Sequence, residues 1–327
     1  MMWDHFSAGI RRVCEYAVLL QLVCVSARSV GAQDAQRLPP NGRVFFQFGN
    51  GADFNPAEVP AELIDEIFGE ENEADRAAIA QVKISPREER QLGSAIFNGC
   101  VAQLERQGIA VEKRGQDVAY VQRLVDQLRP LMANDRRYRQ IQVHIADTDD
   151  TEALSFPGGA IIVSRGLIEF CESEAALVAV LGHELSHIDR GHQLYHLRRW
   201  KLMQKSLTGR FDMRQMMHSG GILVRMVMQP FRPEEELQAD GDGVRWAFEL
   251  GYDPAELAQV LMRFHQRQRQ QPNFVPAFLR SHPSPVDRYQ AILKQADELA
   301  DSRPHVEPYV GRENLRRRIP RPDQAFE

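Results

Sequence analysis

The chain has 327 residues, 43% of them hydrophobic and 26% charged, which is enough for one or two domains with a substantial core and excludes wholesale disorder. Forty Lys and Arg against 45 Asp and Glu give a net charge of -5 without a long basic block, so no nucleic-acid partner is expected. No stretch of 18 apolar residues occurs, which excludes a multi-span membrane protein.

Residues 1–32 read as a secretory leader: Arg11 and Arg12 precede an apolar run, Val13 to Val25, which ends in the small-residue sequence Val30-Gly31-Ala32. Cleavage is expected near Ala32, with export to a periplasm or an equivalent space; the alternative is that the run stays as an anchor helix. Cys100 and Cys171 would remain after cleavage, as one disulfide in an oxidising compartment or as two buried small hydrophobes.

Residues 33–115 are expected to form an N-terminal helical region. A Pro- and Gly-containing start (Leu38 to Gly42) is followed by an acidic, helix-friendly stretch from Pro56 to Gln91 and a helix from about Gln91 to Gln107. The main domain is expected at 116–300. Its first helix runs from Gln116 to Met132, with Val118, Val121, Leu124, Val125 and Leu128 on one face. Ile141 to Ile145 alternates as a half-buried strand does, Asp147 to Asp150 turns the chain, and Ala160 to Val163 makes a second strand after Pro157-Gly158-Gly159. Glu172 to His192 is a strong helix, capped by Ser173, with an apolar face of Ala176, Leu177, Val180, Leu181, Leu185 and Ile188. Leu194 to Phe231 is helical in pattern and holds six of the ten methionines, as a buried hairpin or a deformable lid. Further helices follow at Pro233 to Leu250 and Ala255 to Gln268, and residues 301–327, with Arg316-Arg317-Arg318, read as a solvated tail. The fold class is therefore α+β, mostly α-helical, with a small sheet.

Chemistry concentrates in His183-Glu184-Leu185-Ser186-His187, an H-E-x-x-H on that strong helix. Spacing of i,i+4 puts both imidazoles on one face, where they can hold Zn2+, and Glu184 can take a proton from an activated water. A third protein ligand is needed. His192, five residues after His187, lies at the wrong angle, whereas Glu234-Glu235-Glu236 on the next helix offers three candidates that spacing alone does not separate. Glu236 has Asp240 one turn later, able to accept the free N–H of a ligating imidazole.

Four ordered blocks between Val118 and Arg288 resemble the HtpX/BepA-type zinc metalloendopeptidases, a family that includes the CAAX prenyl protease and the mitochondrial overlapping-activity protease. Ser155 to Leu167 is similar to the family's strand segment with its Pro-Gly-Gly turn, although Glu152 and Leu154 stand where Asn and Phe are usual. Val180 to His187 is similar to its zinc helix, Glu236-Leu237-Gln238-Ala239-Asp240 to its E-x-x-A-D, and Ser281 to Arg288 to its S-H-P-x-x-x-x-R. The resemblance implies a zincin-like fold with one zinc on His183, His187 and Glu236, Glu184 as general base, and Asp240 behind a ligand. It implies that His282 faces the metal region, gating it or stabilising the transition state, and that Arg288 orders the site, by a salt bridge to an acid or by direct action. Gly158 and Gly159 would belong to an edge strand that pairs with an extended substrate, or form a tight turn. Unfolded or misassembled envelope proteins would be the substrates, with peripheral association to a membrane or to outer-membrane assembly machinery. A latent, metal-binding chaperone-like protein is the alternative.

Overall fold

The structure, a computed structural model, describes residues 72–206, 230–270, 277–282, 286–305 and 307–326. The leader expected at 1–32, the rest of the chain up to residue 71, the methionines beyond 206 and Pro283 to Pro285 lie outside the described residues. Among those described, no helix is long and apolar enough to cross a membrane.

Two capped helices come first. Asn72 caps α1 (Glu73–Gln81), exchanging hydrogen bonds with Asp75, and Ser85 caps α2 (Pro86–Arg106), exchanging them with Glu88. The second helix thus begins five residues before the expected Gln91, because Ser85-Pro86 with Glu88 is itself a start signal. Strand β1 (Val111–Glu112) leads to α3 (Gln116–Leu128), which ends in a 3-10 turn, Arg129–Leu131, since Pro130 has no N–H to continue the helix.

The sheet consists of β1, β2 (Gln142–Ala146), β3 (Ala153–Phe156) and β4 (Ala160–Ser164) in the order β1-β2-β4-β3. Strands β2 and β4 run parallel, with His144 opposite Ile162, and the edge strand β3 is antiparallel to β4, with Ser155 opposite Ile161. Pro157-Gly158-Gly159 is the turn between β3 and β4, with φ of 85° and 97° at the glycines, a region closed to most side chains. Residues 158 and 159 are thus in the tight turn, and the edge strand next to them is β3, whose Ser155 carbonyl accepts from Gln193.

Helix α4 (Arg165–Cys171) precedes α5 (Glu174–Arg190), which Ser173 caps by accepting from Ala176 N. Every residue of α5 from Glu174 to Asp189 is buried, so it is the central helix, covered on all sides and not only on the apolar face read from its sequence. Around it lie α3, the sheet, α6 (His192–Ser206), α7 (Pro233–Glu249) and α8 (Glu256–Gln270), followed by α9 (Ala277–Ser281), α10 (Val286–Ser302) and α11 (Arg312–Arg317). One apolar core joins α3, the sheet, α5, α7 and α8.

Of the two alternatives for the cysteines, the structure shows the second: Cys100 and Cys171 are free thiols, each fully buried, on α2 and α4. One expectation is corrected. Residues 307–326 do not form a solvated tail: Ala175 N donates to Val310 O, Asp253 N to Tyr309 O, and Asn314 is fully buried. Arg318 pairs with Asp117 at 2.7 Å and with Glu169, so part of the basic run is spent on holding the segment to the core, while Arg316 and Arg317 pair locally with Glu313.

Candidate metal centre

Helices α5 and α7 carry the site. They cross so closely that a Cβ on Gly243 would stand 2.6 Å from the Ala179 carbonyl oxygen and 3.0 Å from His183 N. This contact faces the one-turn repeat of α5 toward the one-turn repeat of α7, His183 and His187 toward Glu236 and Asp240.

His183 Nε2 lies 3.1 Å from His187 Nε2 and 3.1 Å from His282 Nδ1. Glu236 Oε1 is 2.9 Å from His282 Nδ1 and 3.5 Å from His187 Nε2, and its Oε2 is 3.7 Å from His183 Nε2. Ligand atoms of these four buried residues all fall within 4.8 Å of one another. Donors about 2.0–2.1 Å from a shared ion at tetrahedral angles would stand about 3.3 Å apart, so the separations fit a single cation.

The tautomers agree with that reading. A carboxylate can only accept, so His183 Nδ1–H donates to Asp240 Oδ1 at 2.9 Å and leaves Nε2 with its lone pair. His187 Nδ1 meets His192 Nδ1 at 2.9 Å, and His192 Nε2 meets Gln238 Oε1 at 3.3 Å. With Gln238 accepting, the protons run His187 to His192 to Gln238, and His187 Nε2 also faces the cluster unprotonated. Burial, then the neighbouring His183, hold the His187 imidazole well below its usual pKa, in the neutral form that ligates.

Charge points the same way. Glu184, Glu236 and Asp240 are buried acids beside the buried guanidinium of Arg288, 1% exposed, so acids outnumber that fixed cation at a point where a divalent cation could sit. Arg288 Nε and Nη2 each lie 2.7 Å from Asp240, and Nη1 is 2.5 Å from Glu236 Oε2. Burial would raise the Asp240 carboxyl, but Arg288 and His183 hold it down to about 2. Burial would likewise lower His282, yet Glu236 and Glu184 hold it up to about 10, so a proton on His282 and a metal ion answer the same demand for positive charge. Glu184 is fully buried, and its Oε1 lies 3.2 Å from His282 Nε2 as an ion pair. A buried carboxylate costs stability unless it is paired, and His282 is the cation nearest to it.

His183, Glu184, His187, Glu236, Asp240, His282 and Arg288 therefore come together, and the salt-bridge alternative for Arg288 is the one its contacts follow. Gly158 and Gly159 lie elsewhere, in the lining of a cavity that contains none of those seven residues. Glu235, one of the three candidate acids, accepts from Arg232 N at 3.0 Å and caps α7. The sequence reading missed the orienting role open to His192 and the rings that pack on the ligands: Phe231 stacks on His187 with centroids 3.7 Å apart, and Phe278 on His282 at 4.5 Å. The i,i+5 step from His187 to His192, which rules out a shared ion, was the signal for a contact through the other ring nitrogen.

A small sheet beside a buried H-E-x-x-H helix, with a glutamate brought in by a second helix, defines a zincin-like fold with a candidate metal centre. The sequence model of peptidase family M48 matches residues 116–296, and the chain belongs to that family. It is 25% identical over 191 residues to the beta-barrel assembly-enhancing protease of Yersinia pestis, covering 54% of this chain and 38% of that protein. Against the protein of the same name from Escherichia coli (strain K12) it is 22% identical, over 47% of this chain and 34% of the other. Against the mitochondrial metalloendopeptidase OMA1 of Arabidopsis thaliana it is 24% identical, over 49% and 32%. The matches thus span about a third of these relatives' length.

Proposed function

We propose that the chain is a zinc-dependent endopeptidase acting on exported proteins. The observation that carries the reading is the convergence of three imidazole nitrogens and a carboxylate on one point beside the buried Glu184. His183, His187 and Glu236 would hold the ion, and nitrogen and carboxylate donors in a buried site suit zinc. Bound there, zinc supplies a Lewis acid that polarises a peptide carbonyl and makes water nucleophilic near neutral pH. Glu184 would take the proton of the attacking water and deliver it to the leaving amine. Asp240 holds the His183 ring by its Nδ1–H, and Arg288 fixes Asp240 and Glu236 together, so neither residue needs to touch substrate. An extended substrate would lie along the β3 edge next to the Gly158-Gly159 turn, by strand addition.

Unfolded or misassembled envelope proteins are the proposed substrates. That reading draws on the leader-like residues 1–32, on a relative named for enhancing β-barrel assembly, and on the extended conformation that strand addition requires. The proposed location is periplasmic, with peripheral contact to membrane or outer-membrane assembly machinery and one zinc per chain. The proposed domain limits are a leader at 1–32, a helical region at 33–115 and the peptidase at 116–300.

A second reading has a specific observation in its favour: His282 Nδ1 is itself in the donor set, so a resting chain with His282 as fourth ligand would hold metal without turnover. Digestion of casein by the full chain separates the two. Cleavage abolished by a chelator and restored by zinc supports the peptidase. Inactivity relieved by His282→Ala supports latency, and inactivity of both chains carrying zinc refutes the endopeptidase reading for unfolded protein.

A further inference from the structure

A groove of about 1210 Å³ lies apart from the metal centre, between α2, the loop 133–140 and the β3–β4 turn. One wall is the face of α2 from Pro86 through Arg90 and Gly93 to Phe97, about 16 Å long at 1.5 Å per residue. The floor is fixed in place, since a Cβ on Gly93 would fall 1.7 Å from Pro157 O, which means that helix and turn touch. Buried Glu89 ties the three parts together: it accepts from Arg137 Nε at 2.7 Å, Tyr138 Oη at 2.7 Å and Gly158 N at 3.1 Å. That carboxylate neutralises Arg137. Arg90, Arg136 and Arg139 remain, all exposed and without an ion-pair partner among the described residues, and Asp135 is the one acid in the lining. Positive charge without an ion-pair partner among the described residues is thus concentrated in a concave groove, on a chain whose net charge is -5.

We propose that this groove binds an extended, acidic segment of a protein chain, as a docking site separate from the metal centre. Three guanidinia along the groove call for several carboxylates in a row, and about 16 Å accommodates roughly five extended residues at about 3.3 Å each, more than a single anion needs. Single-stranded nucleic acid fits less well, because Phe97 and Tyr138 are buried, 8% and 3% exposed, and offer no face for base stacking. A membrane surface fits less well because the arginines surround a concavity.

The test uses the full chain carrying Glu184→Gln, so that the probe is not consumed and the result is independent of whether the chain is an active peptidase. Fluorescence anisotropy compares a labelled peptide with five consecutive Glu in a neutral flank and its five-Gln counterpart. The Glu probe should bind roughly tenfold more tightly at about 50 mM salt, the product of few-fold gains from three screened charge pairs, and the preference should shrink at higher salt. In Arg90→Gln/Arg136→Gln/Arg139→Gln the preference should disappear, and in Lys294→Gln/Arg303→Gln it should persist. Equal binding of both probes overturns the proposal, as does a Glu preference that survives the triple variant. Displacement by millimolar inorganic phosphate would reduce the groove to a small-anion site, and loss of phosphatidylglycerol-vesicle binding in the triple variant with peptide binding unchanged would assign it to a lipid surface.

Discussion

Gly243 should be where the metal centre is most sensitive to a single methyl group. On α7 it faces α5, and the Cβ of Gly243→Ala would stand 2.6 Å from the Ala179 carbonyl oxygen, where ordinary contact begins at 3.4 Å. Both neighbours are helix backbone, so relief requires the two helices to part by roughly 0.8 Å. Overpacking of this kind costs about 1–3 kcal/mol, and the better helix propensity of alanine returns about 0.5–1, leaving a net loss of up to about 2.5 kcal/mol. The larger effect falls on the site, because His183 and His187 ride on one helix and Glu236 on the other, and metal geometry tolerates only about 0.2 Å. Zinc affinity, measured by competition with a chromophoric chelator, should fall at least about tenfold, with a lower Tm. Gly241→Ala, two residues away, is the control: its Cβ meets the flexible end of Gln295 at 3.3 Å, so both readouts should hold or improve slightly. Unchanged zinc affinity and Tm in Gly243→Ala would refute the argument that this crossing sets the donor geometry.

Arg288→Met keeps the length of the side chain but leaves Asp240 and Glu236 buried without their shared cation; chemical denaturation should show a loss of about 3–5 kcal/mol for the metal-free chain, and zinc should recover part of it through Glu236. Asp240, held near 2 against an ordinary 3.8, is a depressed acid, so its contribution of about 2 kcal/mol is complete above about pH 4 and is lost as pH falls toward 2. Asp240→Asn should flatten that acid limb of the stability curve and weaken zinc binding about 10–100-fold, and an unaltered limb would count against the assignment. Gly93→Ala, whose Cβ overlaps Pro157 O, should cost about 3 kcal/mol or more in thermal unfolding, since helix α2 must leave the β3–β4 turn; a wild-type Tm would show that the contact is not built as described.

The sequence makes the centre of the molecule legible because periodicity and chemistry agree there. Ser173 as cap, an apolar face and an H-E-x-x-H on one helix are local signals, and α5 follows them within two residues at either end. The choice among Glu234, Glu235 and Glu236 was not local: it depends on which side of α7 meets α5, and only the family resemblance separated them. Strands β1 and β3, two and four residues long, carry too little periodicity to be read, and β3 is buried on both faces, which erases the alternation a strand would show. The C-terminal segment misled because Arg316 to Arg318 look solvated in sequence, whereas Arg318 finds Asp117 and Glu169 some 150 to 200 residues away. Long-range pairing also hides Glu89, an acid in a helix-friendly stretch that becomes the tie between three segments.

Zinc content and casein cleavage, measured side by side for the full-length chain and for Glu184→Gln, test the central claim most directly. The account predicts about one zinc per chain in both, cleavage by the wild type, and a loss on the order of 10²–10⁴-fold in the variant, which keeps the ligands and lacks the base. A wild-type chain that takes up no zinc, or a Glu184→Gln chain that cleaves as fast as the wild type, would contradict it.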